Sequence, residues 1–337
     1  MRLTIAALLI NTLLFSCKNK DIPDVSNIKI EMTTERFDKD LFSIDQANFP
    51  AGYQKLQTKY PDFAGFFSSQ ILGLDPKWPA DSVTEYLGQF THSYKAVYDT
   101  SELVFSDFSK YEDQIKQSVQ FLKYYFPAYI APTKIITYVG PLDGYGDIFF
   151  SNQAFVIGLQ LHLGKDYSQY KTSFVNETYP GYISQGFEPS YIALNCMKNV
   201  MNDMYPEKED DRPMIDQMVD KGKRLYVLSK LLPYTEEYKI IGYTDQQLKD
   251  CYDHEAVIWN LFAQNATLQI TDKNIIKNYI GASPKTEELG EDAPGNIGSF
   301  TGWQIIKKYM KANPTKTLPQ LMSIDAETIF QETKYKP

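Results

Sequence analysis

The chain has 337 residues, a net charge of −8 and a pI near 5.1, with 43% apolar and 23% charged residues. This is the composition of a globular protein with enough length to bury a substantial core. The acidic balance, with no basic stripe to offset it, argues against a nucleic-acid partner, and three cysteines are too few for a disulfide framework.

The first residues read as a targeting segment. Arg2 supplies a minimal positive start and "LTIAALLINTLLF" an apolar run, too short to span a bilayer comfortably but suited to a signal peptide over residues 1–16. The run ends in Leu14-Phe15-Ser16-Cys17, which resembles a bacterial lipobox, with Phe15 bulkier than usual in its position. Cys17 is therefore the expected lipid-attachment residue, carrying acyl chains such as palmitate, and residues 17–26 a polar tether. Two or more acyl chains hold a protein at a membrane where one does not. The expected product is a membrane-anchored envelope lipoprotein. The remaining cysteines, Cys196 and Cys251, are expected as buried thiols, with a disulfide between them as the alternative.

Residues 27–337 read as a single α+β domain, predominantly helical and packed around a small sheet. "NIKIEM" (27–32) alternates as a short strand, and "TTERFDKDLFSID" follows as a helical turn or two. Residues 51–72, 80–97 and 105–126 carry helical periodicity; Ile115, Val119, Leu122 and Phe126 recur at helical spacing before Pro127. The period then changes. Residues 134–140, 147–152 and 154–164 read as strands separated by Gly-, Pro- and Asp-rich turns. In the last, Phe155, Ile157, Leu159, Leu161 and Leu163 share one face; Val156, Gly158, Gln160 and His162 share the other. "GPLDGYGD" lies between strands without a following helix, so a hairpin turn is expected rather than a phosphate cradle. Helices resume over 189–205, 212–232, 244–263 and 272–280. An acidic, breaker-rich loop (282–298) and two further helices, "SFTGWQIIKKYMKANP" and "SIDAETIFQETKYKP", complete the chain.

His254-Glu255 opens like the zinc-peptidase signature H-E-x-x-H, in which two imidazoles one helical turn apart hold zinc while the Glu activates water. The second ligand position here is Ile258, so the signature fails. Helical phasing from Thr244, which forms a capping box with Gln247, sets Leu248, Tyr252, Glu255, Trp259 and Phe262 on one stripe. Glu255 is thus expected to be a buried structural acid tied to a Tyr hydroxyl, backbone N–H or Arg, with a tuned catalytic acid or metal ligand as the alternative. The histidines number only three, His92, His162 and His254, and no nucleophile-elbow, P-loop, dinucleotide or EF-hand pattern occurs.

Several phrases together resemble a known family: "ERFDKDLF", "LHLGKDYSQY", "MKNVMNDMYP", "GKRLYVLSKLLP", "IIGYTDQQL", "EAVIWNLF", "GSFTGWQIIKKYM" and the terminal "KYKP". With the lipobox they look like the gliding motility lipoprotein family GldB of Bacteroidota, from about residue 25 to the end. The resemblance implies an envelope lipoprotein needed for gliding, working beside the gliding and type IX secretion machinery, on the periplasmic side of the outer membrane. It carries no catalytic residue and no cofactor, so a non-enzyme is expected. A more distant resemblance is to a zincin-type metallopeptidase scaffold that has lost its metal. Strands are followed by "YIALNCMKNVMNDMY", where Asn195 and Asn199 hold the i,i+4 positions of two zinc ligands, and by "VDKGKRLY", where Lys221 precedes Gly222 in place of a Glu. Asn amides are poor zinc ligands and a lysine ammonium is none. Two other functions stay open: an envelope hydrolase assembled from dispersed residues such as Glu255 and His162, and a periplasmic binding protein with an aromatic-lined pocket.

Overall fold

The computed structural model describes residues 22–150, 154–208, 211–264 and 267–337. The signal segment and Cys17 lie outside them. Elements run in chain order as β1 (Thr33–Arg36), α1 (Phe37–Phe42), α2 (Phe49–Lys59), α3 (Ala80–Ser93), α4 (Lys95–Phe105), α5 (Ser109–Tyr125), β2 (Lys134–Tyr138), β3 (Ile148–Phe150), β4 (Ala154–Gly158), α6 (Ile192–Met204), α7 (Met214–Leu231), α8 (Asp245–Asp253), α9 (Glu255–Gln264), α10 (Ile297–Ala312) and α11 (Ala326–Thr333). The architecture is α+β: helices packed around a small mixed sheet, as expected.

The sheet has four strands in the order β1-β2-β4-β3; β1, β2 and β4 are parallel, and β3 runs antiparallel along the β4 edge. The first strand lies six residues later than its alternation suggests. Residues 27–32 form no strand, and pairing begins at Thr33 opposite Lys134, because β2 offers its edge only from there. Alternation marks an extended chain; the partner strand decides which residues pair. The strand expected over 154–164 ends at Gly158, and a 3-10 turn, Leu159–Leu161, follows. All five β4 residues are buried. With strands on both sides and helices over it, β4 has no solvent face, so its alternation separates two buried faces rather than core from water.

Several expected helices are divided. The stretch 51–72 breaks at Tyr60 before Pro61, which disfavours helical conformation in the preceding residue. The stretch 80–97 is split at Tyr94 into α3 and α4. The stretch 272–280 keeps only a turn at Lys273–Ile276. Helix 244–263 divides at His254, whose φ of −113° and ψ of 21° leave the helical region. Its ring Nδ1 lies 2.9 Å from the Asp250 carbonyl, to which its own backbone N–H also donates at 3.0 Å. The side chain thus occupies an acceptor at the end of α8 and helps close it. The capping box that starts α8 is present in both halves: Thr244 Oγ1 accepts from Gln247 N at 3.1 Å, and Gln247 Oε1 from Thr244 N at 3.0 Å.

One connected hydrophobic core extends from Val25 to Tyr335. Helix α6 buries Ile192, Cys196, Met197, Val200 and Met201 and packs against α5 and α7. Lys223 is buried on α7, where its ammonium donates to Asp220 at 3.0 Å and to the Ile324 carbonyl at 2.6 Å, fastening α7 to the C-terminal segment. Among the described residues no helix is long and apolar enough to cross a membrane.

Candidate functional site

Beyond the C-terminal end of β2, the loop 139–147 is held from below by two buried side chains. Tyr138 donates its hydroxyl to the carbonyls of Tyr145 and Gly146, both at 2.7 Å. Gln160 accepts from Gly140 N at 3.0 Å and donates to the Tyr145 carbonyl at 3.0 Å. The Gly-rich sequence therefore cradles protein side chains. Its last residue, Asp147, becomes the hub of a buried polar cluster.

His162, Asn195 and Asn199 converge on that residue. The His162 ring places Nε2 2.8 Å from Asp147 Oδ2 and 3.1 Å from Oδ1. Asn195 donates its amide to Oδ2 at 2.9 Å, and Gly158 N donates to Oδ1 at 3.2 Å. Asn199 donates to the Asp147 backbone carbonyl at 3.1 Å. The side chains of His162 and Asp147 are only 2% and 3% exposed. The other imidazole nitrogen, Nδ1, lies 3.2 Å from the Glu188 carbonyl. Both ring nitrogens thus face acceptors, an arrangement satisfied by the imidazolium. Burial alone lowers the His162 pKa, but the charge and hydrogen bond of Asp147, with the Glu188 carbonyl, outweigh it and raise the pKa above its ordinary value.

A carboxylate–imidazole couple acts in nucleophilic catalysis when its second ring nitrogen faces a nucleophile. Here that nitrogen is engaged by a backbone carbonyl. The Cys196 thiol on α6 is buried, and burial together with the negative charge of Asp147 drives its pKa well upward, away from thiolate. Cys251 is likewise a buried free thiol, with its pKa raised to about 12 by burial and the charge of Asp250.

The remaining expected site residues lie elsewhere. Asn195 and Asn199 share a face of α6, as their spacing requires, but both donate to Asp147. Lys221, on α7, pairs with Glu207 at 2.6 Å and lines a different cleft with Arg212, Asp220 and Arg224. His92 and His254 are exposed, so the three histidines do not converge. Among the described residues no group of three or more His, Cys, Asp or Glu side chains is placed to hold a metal ion. Glu255 is half-buried rather than buried, because the break at His254 makes it the first residue of a new helix and rotates it off the α8 stripe. Its carboxylate accepts from the Tyr335 hydroxyl, and it does not meet His162. Asp147 itself carries no mark in the sequence, since nothing in "GPLDGYGD" separates a hub carboxylate from an ordinary turn residue.

Neither the curated proteins nor the solved structures provide a match to this chain. Among protein families, residues 18–337 match the one described as gliding motility protein GldB, almost the whole of the chain. Together with the phrases quoted above, that match establishes that the chain belongs to the gliding motility protein GldB family.

Proposed function

We propose that the protein is a lipid-anchored component of the cell envelope, attached through acylated Cys17, and that it serves gliding as a non-catalytic part of the gliding and secretion machinery. Family membership supports the gliding role. The lipobox Leu14-Phe15-Ser16-Cys17 supports the anchor. The observation that carries the non-catalytic reading is the saturation of Asp147. Its two carboxylate oxygens accept from His162, Asn195 and Gly158, and its backbone carbonyl from Asn199. On the zincin-like comparison, Asn195 and Asn199 stand where two metal ligands would, and both amides are spent within the protein. Such a cluster stiffens the junction between sheet and α6 and leaves no free base or nucleophile. The partners in this reading are the membrane and other envelope proteins of the same machinery, on the periplasmic side of the outer membrane.

Cys17→Ala should leave the fold intact while abolishing acylation, membrane retention and gliding. Retention and processing unchanged in that variant would refute the anchor. Affinity capture of the intact lipoprotein from membranes should co-purify other envelope proteins of gliding; their absence would refute the proposed assembly role.

A further inference from the structure

Asn195 also lines a cavity of about 360 Å³ beside α6. Its walls are Tyr182 and Tyr191 before α6, Tyr243 before α8, and Pro284 and Pro294 from the acidic loop. The loop that forms one wall is held in place by hydrogen bonds. Tyr243 donates its hydroxyl to the Gly295 carbonyl at 2.9 Å, Thr286 to the Pro294 carbonyl at 2.8 Å, and Gly281 N to Asn296 Oδ1 at 2.9 Å. Gly295 must be glycine: a Cβ there would stand 2.1 Å from the Ser283 carbonyl oxygen. The cavity is thus a formed feature, built from three separate parts of the chain.

Two polar groups in its wall have no protein partner. Ser283 Oγ is buried and makes no hydrogen bond. Lys198, half-buried on α6, forms no ion pair among the described residues, and its partial burial lowers the pKa of its ammonium. Not one of the lining residues is Asp or Glu, although the chain as a whole is acidic. Even a partly desolvated ammonium without a counter-ion costs stability, and a methionine would fill the same wall without that cost. Elsewhere cations withdrawn from solvent are compensated: buried Lys223 has Asp220 and a carbonyl, and half-buried Arg36 has Asp38 and Glu102. Lys198 is therefore a charge whose partner the protein does not supply.

We propose that this cavity is a binding site for a carboxylate carried on an apolar or aromatic body, with Lys198 as counter-ion, Ser283 as additional donor, and the tyrosine and proline wall holding the body. One cation matches a monoanion, and a phosphate dianion would be left half-compensated. The cavity lies at the small end of ligand sites, enough for a body of one or two amino-acid residues. The carboxylate could belong to a free small molecule or to the C-terminus of a polypeptide. The site stands on the cavity alone and is independent of the anchor and the gliding assembly.

The test uses the full chain purified in detergent, with calorimetric titration and thermal melting. The probes are N-acetyl-phenylalanine, a hexapeptide ending in phenylalanine with a free carboxylate, and the same hexapeptide as its C-terminal amide. The carboxylates should bind and raise the melting temperature, while the amide binds at least tenfold more weakly. Binding of N-acetyl-phenylalanine as tight as that of the hexapeptide assigns the site to small carboxylates; hexapeptide binding at least tenfold tighter assigns it to chain termini. Lys198→Met should melt higher than the parent without ligand and lose carboxylate binding at least tenfold. Ser283→Ala should weaken binding severalfold with the melting temperature little changed, and gives a second reading should the lysine variant fold poorly. Equal binding of acid and amide, no binding of any probe at millimolar concentration, or carboxylate binding that persists undiminished in Lys198→Met would overturn the proposal.

Discussion

Gly222 and Gly302 face one another where α7 crosses α10, with no room for a side chain between the two backbones. A Cβ on Gly222 would lie 2.2 Å from the Gly302 carbonyl oxygen, and one on Gly302 would lie 1.7 Å from that of Met218. The Lys221-Gly222 step thus has a packing explanation: the glycine lets the two helices meet, and the lysine beside it turns outward to Glu207.

Gly302→Ala should therefore force the helices apart. Overpacking typically costs about 1–3 kcal/mol, and a backbone clash belongs at or beyond the upper end. Urea unfolding should show a lower midpoint. A midpoint equal to the parent's would mean that the crossing tolerates a methyl group.

The His162–Asp147 pair predicts how stability depends on pH. His162 has a raised pKa in the folded protein, against about 6.5 when unfolded. Its contribution is therefore complete below about pH 6.5 and is lost as pH rises through the higher folded value, because the folded state then holds a proton that the unfolded state has released. His162→Gln keeps a donor for Asp147 but strands the buried carboxylate, at a cost of about 3–5 kcal/mol. Denaturant unfolding from pH 5.5 to 9 should show the parent losing this component and the variant lacking it; parallel pH profiles would contradict the pairing.

Glu255 and Tyr335 join the start of α9 to the C-terminal residues, 80 positions apart. Trp259 packs edge-on against the same Tyr335 ring, with centroids 5.0 Å apart. Because Glu255 is half-buried, losing this hydrogen bond should cost only about 0.5–1.5 kcal/mol in Tyr335→Phe. Glu255→Gln should be milder than Glu255→Ala, since the amide still accepts. Function per folded molecule should be unchanged in all three. A stable, abundant Glu255→Gln that fails to support gliding would instead assign the carboxylate a chemical role.

The donor set at Asn195, Asn199 and Lys221 predicts no stoichiometric zinc in the purified chain. The two amides are committed to Asp147 and the ammonium to Glu207. Elemental analysis after purification without chelator checks this; one equivalent of tightly held zinc would refute it.

Much of the helical framework was legible from spacing alone. The helices expected over 189–205 and 212–232, the spacing of Ile115, Val119 and Leu122 before Pro127, and the Thr244–Gln247 box all report local preferences, and local geometry realises them. Where that reading went astray, a bond that periodicity does not register intervened, distant in one case and four residues away in the other. The start of β1 depended on the edge offered by β2, and the phase of Glu255 depended on a side-chain bond that closes α8.

What the sequence by itself determined was the class of fold, the main helices and strands, the lipobox as the candidate anchor and, through its scattered phrases, the family. These rest on periodicity, capping and composition, which act over a few residues at a time. Only the tertiary structure decided that Asp147, His162, Asn195 and Asn199 share one buried cluster, and that Lys198 and Ser283 share one cavity without partners. Those groups come from loops, a helix and a strand end separated by up to tens of residues. Their charges and hydrogen bonds are paired or left open by how the elements pack, and no local pattern along the chain encodes that.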